Sequence, residues 1–139
     1  MKYLLSIITI VALSLSITSC NDIMTGECSL IGFEKSHTFA KDGGNHIFKG
    51  ERSVNFWFLS HLFINETELE WTDESLKCTY KDPAKPWTLY KIEGEWFVIE
   101  RIDDLTISVT VTPTDQARNL SFLANQGNCS DPIEVFQII

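Results

Sequence analysis

The stretch LTISVTVT, residues 105–112, alternates four apolar residues with four serine or threonine residues. Because successive side chains of a β-strand point to opposite faces, this pattern predicts a strand with one buried and one solvated face. The pair Asp103-Asp104 before it and Pro113 after it are typical turn residues. The stretch therefore predicts a strand of an antiparallel sheet.

The same period of two recurs, in shorter segments, through the chain from residue 33 onward, with no convincing helical stripe. Gly43-Gly44 indicates a turn, since glycine adopts positive φ without penalty. Short strands separated by turns predict an all-β fold, an immunoglobulin-like antiparallel β-sandwich. The further predicted strands are 37–40, 46–49, 75–80, 87–92, 96–99, 119–123 and 133–138.

The first nineteen residues have the layout of a secretory signal. Lys2 precedes an apolar run, residues 4–17. As a helix this run would be about 21 Å long, too short for a hydrocarbon core of roughly 30 Å. The run ends at ITSC, residues 17–20, which resembles the bacterial lipobox, where small residues precede a cysteine that receives a lipid. The alternative is an ordinary signal peptide followed by an incidental cysteine.

We therefore expect a lipoprotein signal peptide at 1–19, a lipidated tether at 20–32 and one β-sandwich domain at 33–139. Cys20 would be the acylated first residue, anchored in the outer membrane. Display on the cell surface and on the periplasmic face both remain open. The net charge of the full chain, −8, argues against nucleic-acid binding and against attraction to anionic lipid. The covalent lipid is thus the predicted membrane contact.

Three cysteines remain beyond the anchor, and they allow three pairings. Cys28 lies in the predicted tether, so the sequence favours a disulfide between Cys78 and Cys129. The alternative is that all three thiols are unpaired.

The stretch NFWFLSHLF, residues 55–63, is the most aromatic segment of the domain. On a strand, Phe56 and Phe58 would face one way and Trp57 and Leu59 the other. Either both sides are covered or one side is an aromatic platform, a surface on which sugar C–H groups pack against ring faces. The predicted ligand-binding rings are Trp57, Trp71 and Trp87, whereas Trp96 is more typical of a core.

The order of several short motifs resembles the BACON domain, the Bacteroidetes-associated carbohydrate-binding, often N-terminal domain family, over about 36–137. The resemblance implies an immunoglobulin-like sandwich in a bacterial envelope, associated with host mucin-type or dietary glycan. Those motifs are a Thr-x-Phe strand before Gly43-Gly44, Trp96-Phe97, Ile107 to Val109, Thr114, Arg118, Gly127-Asn128, and Ile133-x-Val135-x-Gln137.

No pattern in the sequence predicts catalysis, a cofactor or a metal site. His37, His46 and His61 lack zinc-ligand spacing, and Glu93 and Glu95 are too close along one turn to flank a sugar. The sequence thus predicts a non-catalytic envelope protein for binding or adhesion, with glycan as its ligand. The alternative is a structural spacer or accessory subunit that holds another envelope protein and binds no glycan.

Overall fold

The computed structural model describes residues 30–54 and 56–139, within which the chain forms ten strands and one short 3-10 helix. The predicted signal peptide, Cys20 and most of the predicted tether lie outside the described residues. The elements are β1 Ser36–Phe39, β2 Gly44–Lys49, β3 Phe58–Ile64, β4 Thr67–Leu69, β5 Lys77–Tyr80, the 3-10 helix Pro86–Thr88, β6 Leu89–Glu93, β7 Phe97–Asp103, β8 Thr106–Val111, β9 Arg118–Gln126 and β10 Cys129–Gln137.

The strands form two five-stranded sheets. Sheet A has the order β1-β10-β9-β3-β4, and sheet B has the order β2-β8-β7-β6-β5. Every strand pair within the described ranges is antiparallel except β1 with β10, which is parallel. The predicted all-β sandwich is therefore confirmed, and its sheets are antiparallel as predicted except for the parallel pair of β1 with β10.

The core lies between the sheets and follows the predicted alternation. In β8, Ile107, Val109 and Val111 are buried, while the serine and threonines between them are less buried or exposed. In sheet A the facing positions Leu120 and Phe122 of β9 are buried in the same way. Burial of such side chains contributes roughly 1.5–3 kcal/mol each, so the two apolar faces are the main source of stability.

Several parts of the strand prediction were incomplete. Strand β9 extends beyond the predicted 119–123, and the 3-10 helix occupies the start of the predicted strand 87–92. The three-residue strand β4 was missed because its sequence, Thr67-Glu68-Leu69, is too short and polar to show a period. Strand β10 begins at Cys129, four residues before the predicted strand 133–138, and includes Pro132. Proline is tolerated there because β1 begins to pair with β10 only at Ser36 opposite Glu134, which leaves Pro132 beside β9 alone.

The turn between β1 and β2 carries the chain from sheet A to sheet B. Gly43 has a φ of 71°, and its N–H donates to the carbonyl of Ala40 at 3.0 Å. A Cβ added at Gly43 would lie 2.3 Å from the carbonyl oxygen of Val111. Glycine is thus required both for the backbone conformation and for the close approach of β8.

A buried side-chain network closes this end of the sandwich. Gln137 is 1% exposed, and its Nε2 donates to the carbonyls of Ala40, Lys41 and Thr112 at 2.9–3.3 Å. Its Oε1 accepts from Nε of Arg118 at 2.9 Å. One amide therefore joins the β1–β2 turn, the end of β8 and the start of β9.

Replacing Gln137 with leucine leaves those carbonyls and Arg118 without their buried partner. We expect a loss of about 2–4 kcal/mol in the free energy of unfolding, measured by denaturant titration. Gln126→Leu is the matched control, because Oε1 of Gln126 has no hydrogen-bond partner among the described residues. Equal losses in the two variants would contradict the role assigned to Gln137.

Candidate binding surface

Trp57 is a core residue and not part of the surface. Its indole is 0% exposed and packs edge-on against Phe33, with ring centroids 5.4 Å apart. Its Nε1 donates to the carbonyl of Asp104 at 2.9 Å, and Arg101 lies 3.9 Å over its ring. The prediction that Trp57 binds ligand is therefore wrong, because the packing of the two sheets covers both faces of its ring.

Arg101 fixes the segment around Trp57 through two further hydrogen bonds. Its Nη1 donates to the carbonyl of Trp57 and its Nη2 to Oδ1 of Asp104, both at 2.7 Å. Trp57 precedes β3 of sheet A, whereas Arg101 and Asp104 lie on β7 and the turn before β8 in sheet B. The contact therefore fixes the start of β3 against the opposite sheet.

The burial of Trp57 determines where its neighbours point. Leu59 is buried with Trp57, while Phe56 is 48% exposed and Phe58 is half-buried. The rings of Phe56 and Phe58 lie 5.9 Å apart with a tilt of 44°. The predicted alternation is confirmed, and the exposed aromatic side is formed by the phenylalanines.

A β-bulge interrupts β3 just after these residues. The register with β9 shifts between Ser60 and Leu62, and His61 has a φ of 49°. The extra residue lets Leu62 face the core as Leu59 does, although their spacing would place them on opposite faces of a regular strand. Ser60 is buried, and its Oγ has no hydrogen-bond partner among the described residues.

Two predicted tryptophans cover the open side of β3. Strand β4 pairs only with Leu62 to Ile64, so the first half of β3 has no strand neighbour on that side within the described residues. Trp71 follows β4, and Trp87 lies in the 3-10 helix with 47% of its surface exposed. The hydroxyl of Thr88 holds this helix by donating to the carbonyls of Asp82 and Lys85, both at 2.8 Å.

These side chains line a groove of about 410 Å³, which we call the aromatic groove. Its volume falls within the range of small-ligand sites, about 300–1,000 Å³. Ring faces can bind apolar C–H surfaces, and the lining contains few polar side chains. The groove is lined by Phe56, Phe58, Leu59, Ser60, Trp71, Pro86 and Trp87.

The structure thus places two of the three predicted rings, Trp71 and Trp87, in one groove. Sequence reasoning did not assign Phe56, Phe58 or Ser60 to a site. The period-two pattern could have identified the phenylalanines. If Trp57 is buried, its neighbours Phe56 and Phe58 must face outward on an extended segment. No local pattern indicated Ser60, whose place depends on the bulge.

The histidines occupy two separate surfaces. Nδ1 of His61 contacts Oε1 of Glu68 at 2.7 Å on the exterior of sheet A. Near the β1–β2 turn, Nε2 of His46 contacts Oε2 of Glu34 at 2.8 Å, and the rings of His37 and His46 stack 3.6 Å apart. Burial lowers the pKa of His37, and the adjacent His46 lowers it further against an opposing effect of Glu34.

The predicted bridge between Cys78 and Cys129 is wrong. Cys129 is disulfide-bonded, whereas Cys78 is a free, half-buried thiol whose pKa is raised by desolvation. The two residues belong to different sheets, since Cys78 lies on the edge strand β5 of sheet B and Cys129 begins β10 in sheet A. Sequence order alone does not report that separation.

Comparisons with known proteins describe the fold. No protein-family model matches the chain, and no curated protein matches it. A solved structure described as the NMR structure of the protein from Bacteroides thetaiotaomicron is similar, with a TM-score of 0.54 and 16% identity over 76% of this chain and 78% of that chain. At this identity the similarity supports a shared fold. Among the described residues, no helix is long and apolar enough to span a membrane.

Substitution of the buried and exposed tryptophans by alanine should separate their roles. We expect Trp57→Ala to lower the free energy of unfolding by about 3–5 kcal/mol, because it removes a fully buried ring and its contact with Arg101. Trp87→Ala, at a half-exposed position, should change it by less than about 1 kcal/mol. Denaturant titration checks both values, and a larger loss for Trp87→Ala would contradict the assignment.

Proposed function

We propose that this chain is a lipid-anchored, non-catalytic binding protein of a bacterial cell envelope that contacts glycan through the aromatic groove. The observation that carries the proposal is a set of aromatic rings that line one groove, two of which, Phe56 and Trp87, are about half-exposed. A sugar presents C–H groups on one face, which would pack on the ring faces, and hydroxyls around its rim, which would stay hydrated.

The negative net charge of the chain favours neutral sugars over anionic sugars as ligands. The net charge is −8, and the residues that line the aromatic groove include no cation. Anionic sugars that carry sulfate or carboxylate would therefore be repelled by the protein as a whole. Neutral glycan chains are the expected ligands, of host mucin type or of dietary origin, in keeping with the resemblance to BACON-domain proteins.

Removal of both groove tryptophans tests glycan binding. We expect the full-length Trp71→Ala, Trp87→Ala double variant to bind arrayed neutral glycans at least tenfold more weakly than wild type. Each ring stack contributes about 0.5–1.5 kcal/mol beyond the area that it buries. The measurement is retention on a glycan array, with circular dichroism to verify the fold.

Phe136→Ala is the matched control for that experiment. Phe136 is 38% exposed on β10 of sheet A and lies outside the aromatic groove. This variant should retain glycan as wild type does. Unchanged retention by the folded double variant, or absence of retention by wild type on every neutral glycan, would contradict glycan binding.

The second candidate is an accessory subunit that docks an envelope protein in the same groove. The specific observation is the scarcity of polar side chains in its lining, where the Ser60 hydroxyl and the indole N–H groups are the side-chain hydrogen-bonding groups. Phenylalanine and tryptophan are enriched at the centres of protein interfaces. Recovery of a stoichiometric partner from membranes by wild type, and not by the double variant, would favour this candidate.

Mass spectrometry of the mature protein tests the lipid anchor. We expect an acylated N-terminal peptide that begins at Cys20. Cys20→Ala should move the protein from the membrane to the soluble fraction, since acyl chains contribute about 0.8 kcal/mol per buried methylene. An unmodified Cys20 in membrane-bound protein would contradict the anchor.

A further inference from the structure

Three potential metal ligands meet near the β1–β2 turn, away from the residues that line the aromatic groove. Glu34 precedes β1, His37 lies on β1 and His46 lies on β2. Each offers one ligand atom, and these atoms all lie within 4.8 Å of one another. Nε2 of His46 and Oε2 of Glu34 are already 2.8 Å apart.

The fold holds the two imidazoles against each other from opposite sheets. His37 is opposite Val135 in sheet A, and His46 is opposite Val109 in sheet B. The rings stack at 3.6 Å with only 10° between their planes. Buried Phe39 and Phe48 contact them edge-on, with centroids 4.6 Å from His37 and 4.7 Å from His46 respectively. The rings are thus supported by the core on one side and half-exposed to solvent.

The ligand chemistry is that of a borderline divalent cation. Two imidazole nitrogens and a carboxylate oxygen suit Zn²⁺, Ni²⁺ or Cu²⁺ better than calcium or magnesium, which prefer all-oxygen sites. In a tetrahedral zinc site with bonds of about 2.0 Å, neighbouring ligand atoms are about 3.3 Å apart. The observed separations require small side-chain rotations, in which the rings tilt out of their parallel stack until their lone pairs converge.

We propose that Glu34, His37 and His46 form a binding site for a divalent transition-metal cation, with Zn²⁺ as the test ion. Three protein ligands leave one position of a tetrahedral ion for water or an external donor. No sequence motif marks this site, because its ligands come from two different sheets that the β1–β2 turn brings together. Bound metal would link sheet A to sheet B at the edge where β1 and β2 meet.

Such a link stabilises the folded chain, because the ligand set is assembled in the native state alone. The full-length protein, in detergent and with cysteines not engaged in disulfides blocked by alkylation, should therefore melt at a higher temperature in Zn²⁺. We expect a rise of roughly 10–15 °C when free zinc is about a hundredfold above its dissociation constant. Isothermal titration should give one zinc per chain at this site.

One histidine outside the proposed site serves as a matched control for His37 and His46. His61 forms a similar histidine–carboxylate pair with Glu68 at 2.7 Å, and no second histidine joins it among the described residues. We expect His37→Gln and His46→Gln each to weaken zinc binding by at least about tenfold and so to reduce the melting shift to about half or less at the same zinc concentration. His61→Gln should leave both unchanged. In wild type, zinc should shift the imidazole NMR signals of His37 and His46 and leave those of His61 in place.

The outcomes are decisive in both directions. Loss of binding in the His37 and His46 variants, with retention in His61→Gln, establishes the site. Absence of zinc binding by wild type would overturn the proposal. So would equal affinity in wild type and folded His46→Gln, or an equal loss in His61→Gln. The glycan array uses a different surface, so either proposal can fail alone.

Discussion

The burial of Trp57 between the sheets is the constraint on which the candidate surface depends. Arg101 stacks on the indole and binds its backbone carbonyl, so the ring, the start of β3 and the β7–β8 turn are fixed together. With Trp57 directed inward, strand geometry directs Phe56 and Phe58 outward. An exposed aromatic pair would ordinarily collapse onto apolar surface. Here the buried Trp57 between them holds the segment in place, which keeps the two phenylalanines at the surface.

The opposite end of the sandwich is held by polar contacts. Gln137 and Arg118 join the ends of three strands and one turn, and Arg118 also lies 4.2 Å over the ring of Trp96. Desolvation lowers the pKa of Arg118, in keeping with its partial burial. Each buried polar atom of this network has a partner, so the network specifies one arrangement of chain ends where apolar packing would allow several.

Local pattern predicted the fold because the apolar period is a local property. The alternation in residues 105–112 became β8, and the alternation around Trp57 was correct in phase. The same pattern cannot say which face of a strand meets the other sheet, and Trp57 was therefore assigned to the wrong side. The cysteine pairing and the approach of His37 to His46 depend on how strands are ordered between sheets, which is a non-local property.

The parallel pairing of β1 with β10 has a mechanical consequence. Ser36 to Phe39 run alongside Glu134 to Gln137 in the same direction, next to the route by which the chain enters the domain. A pull on that entering segment is directed along the ladder and loads its hydrogen bonds together, in shear. An antiparallel hairpin pulled from its open end would instead unzip one bond at a time. A domain held through its N-terminal segment would thereby resist an applied pulling force.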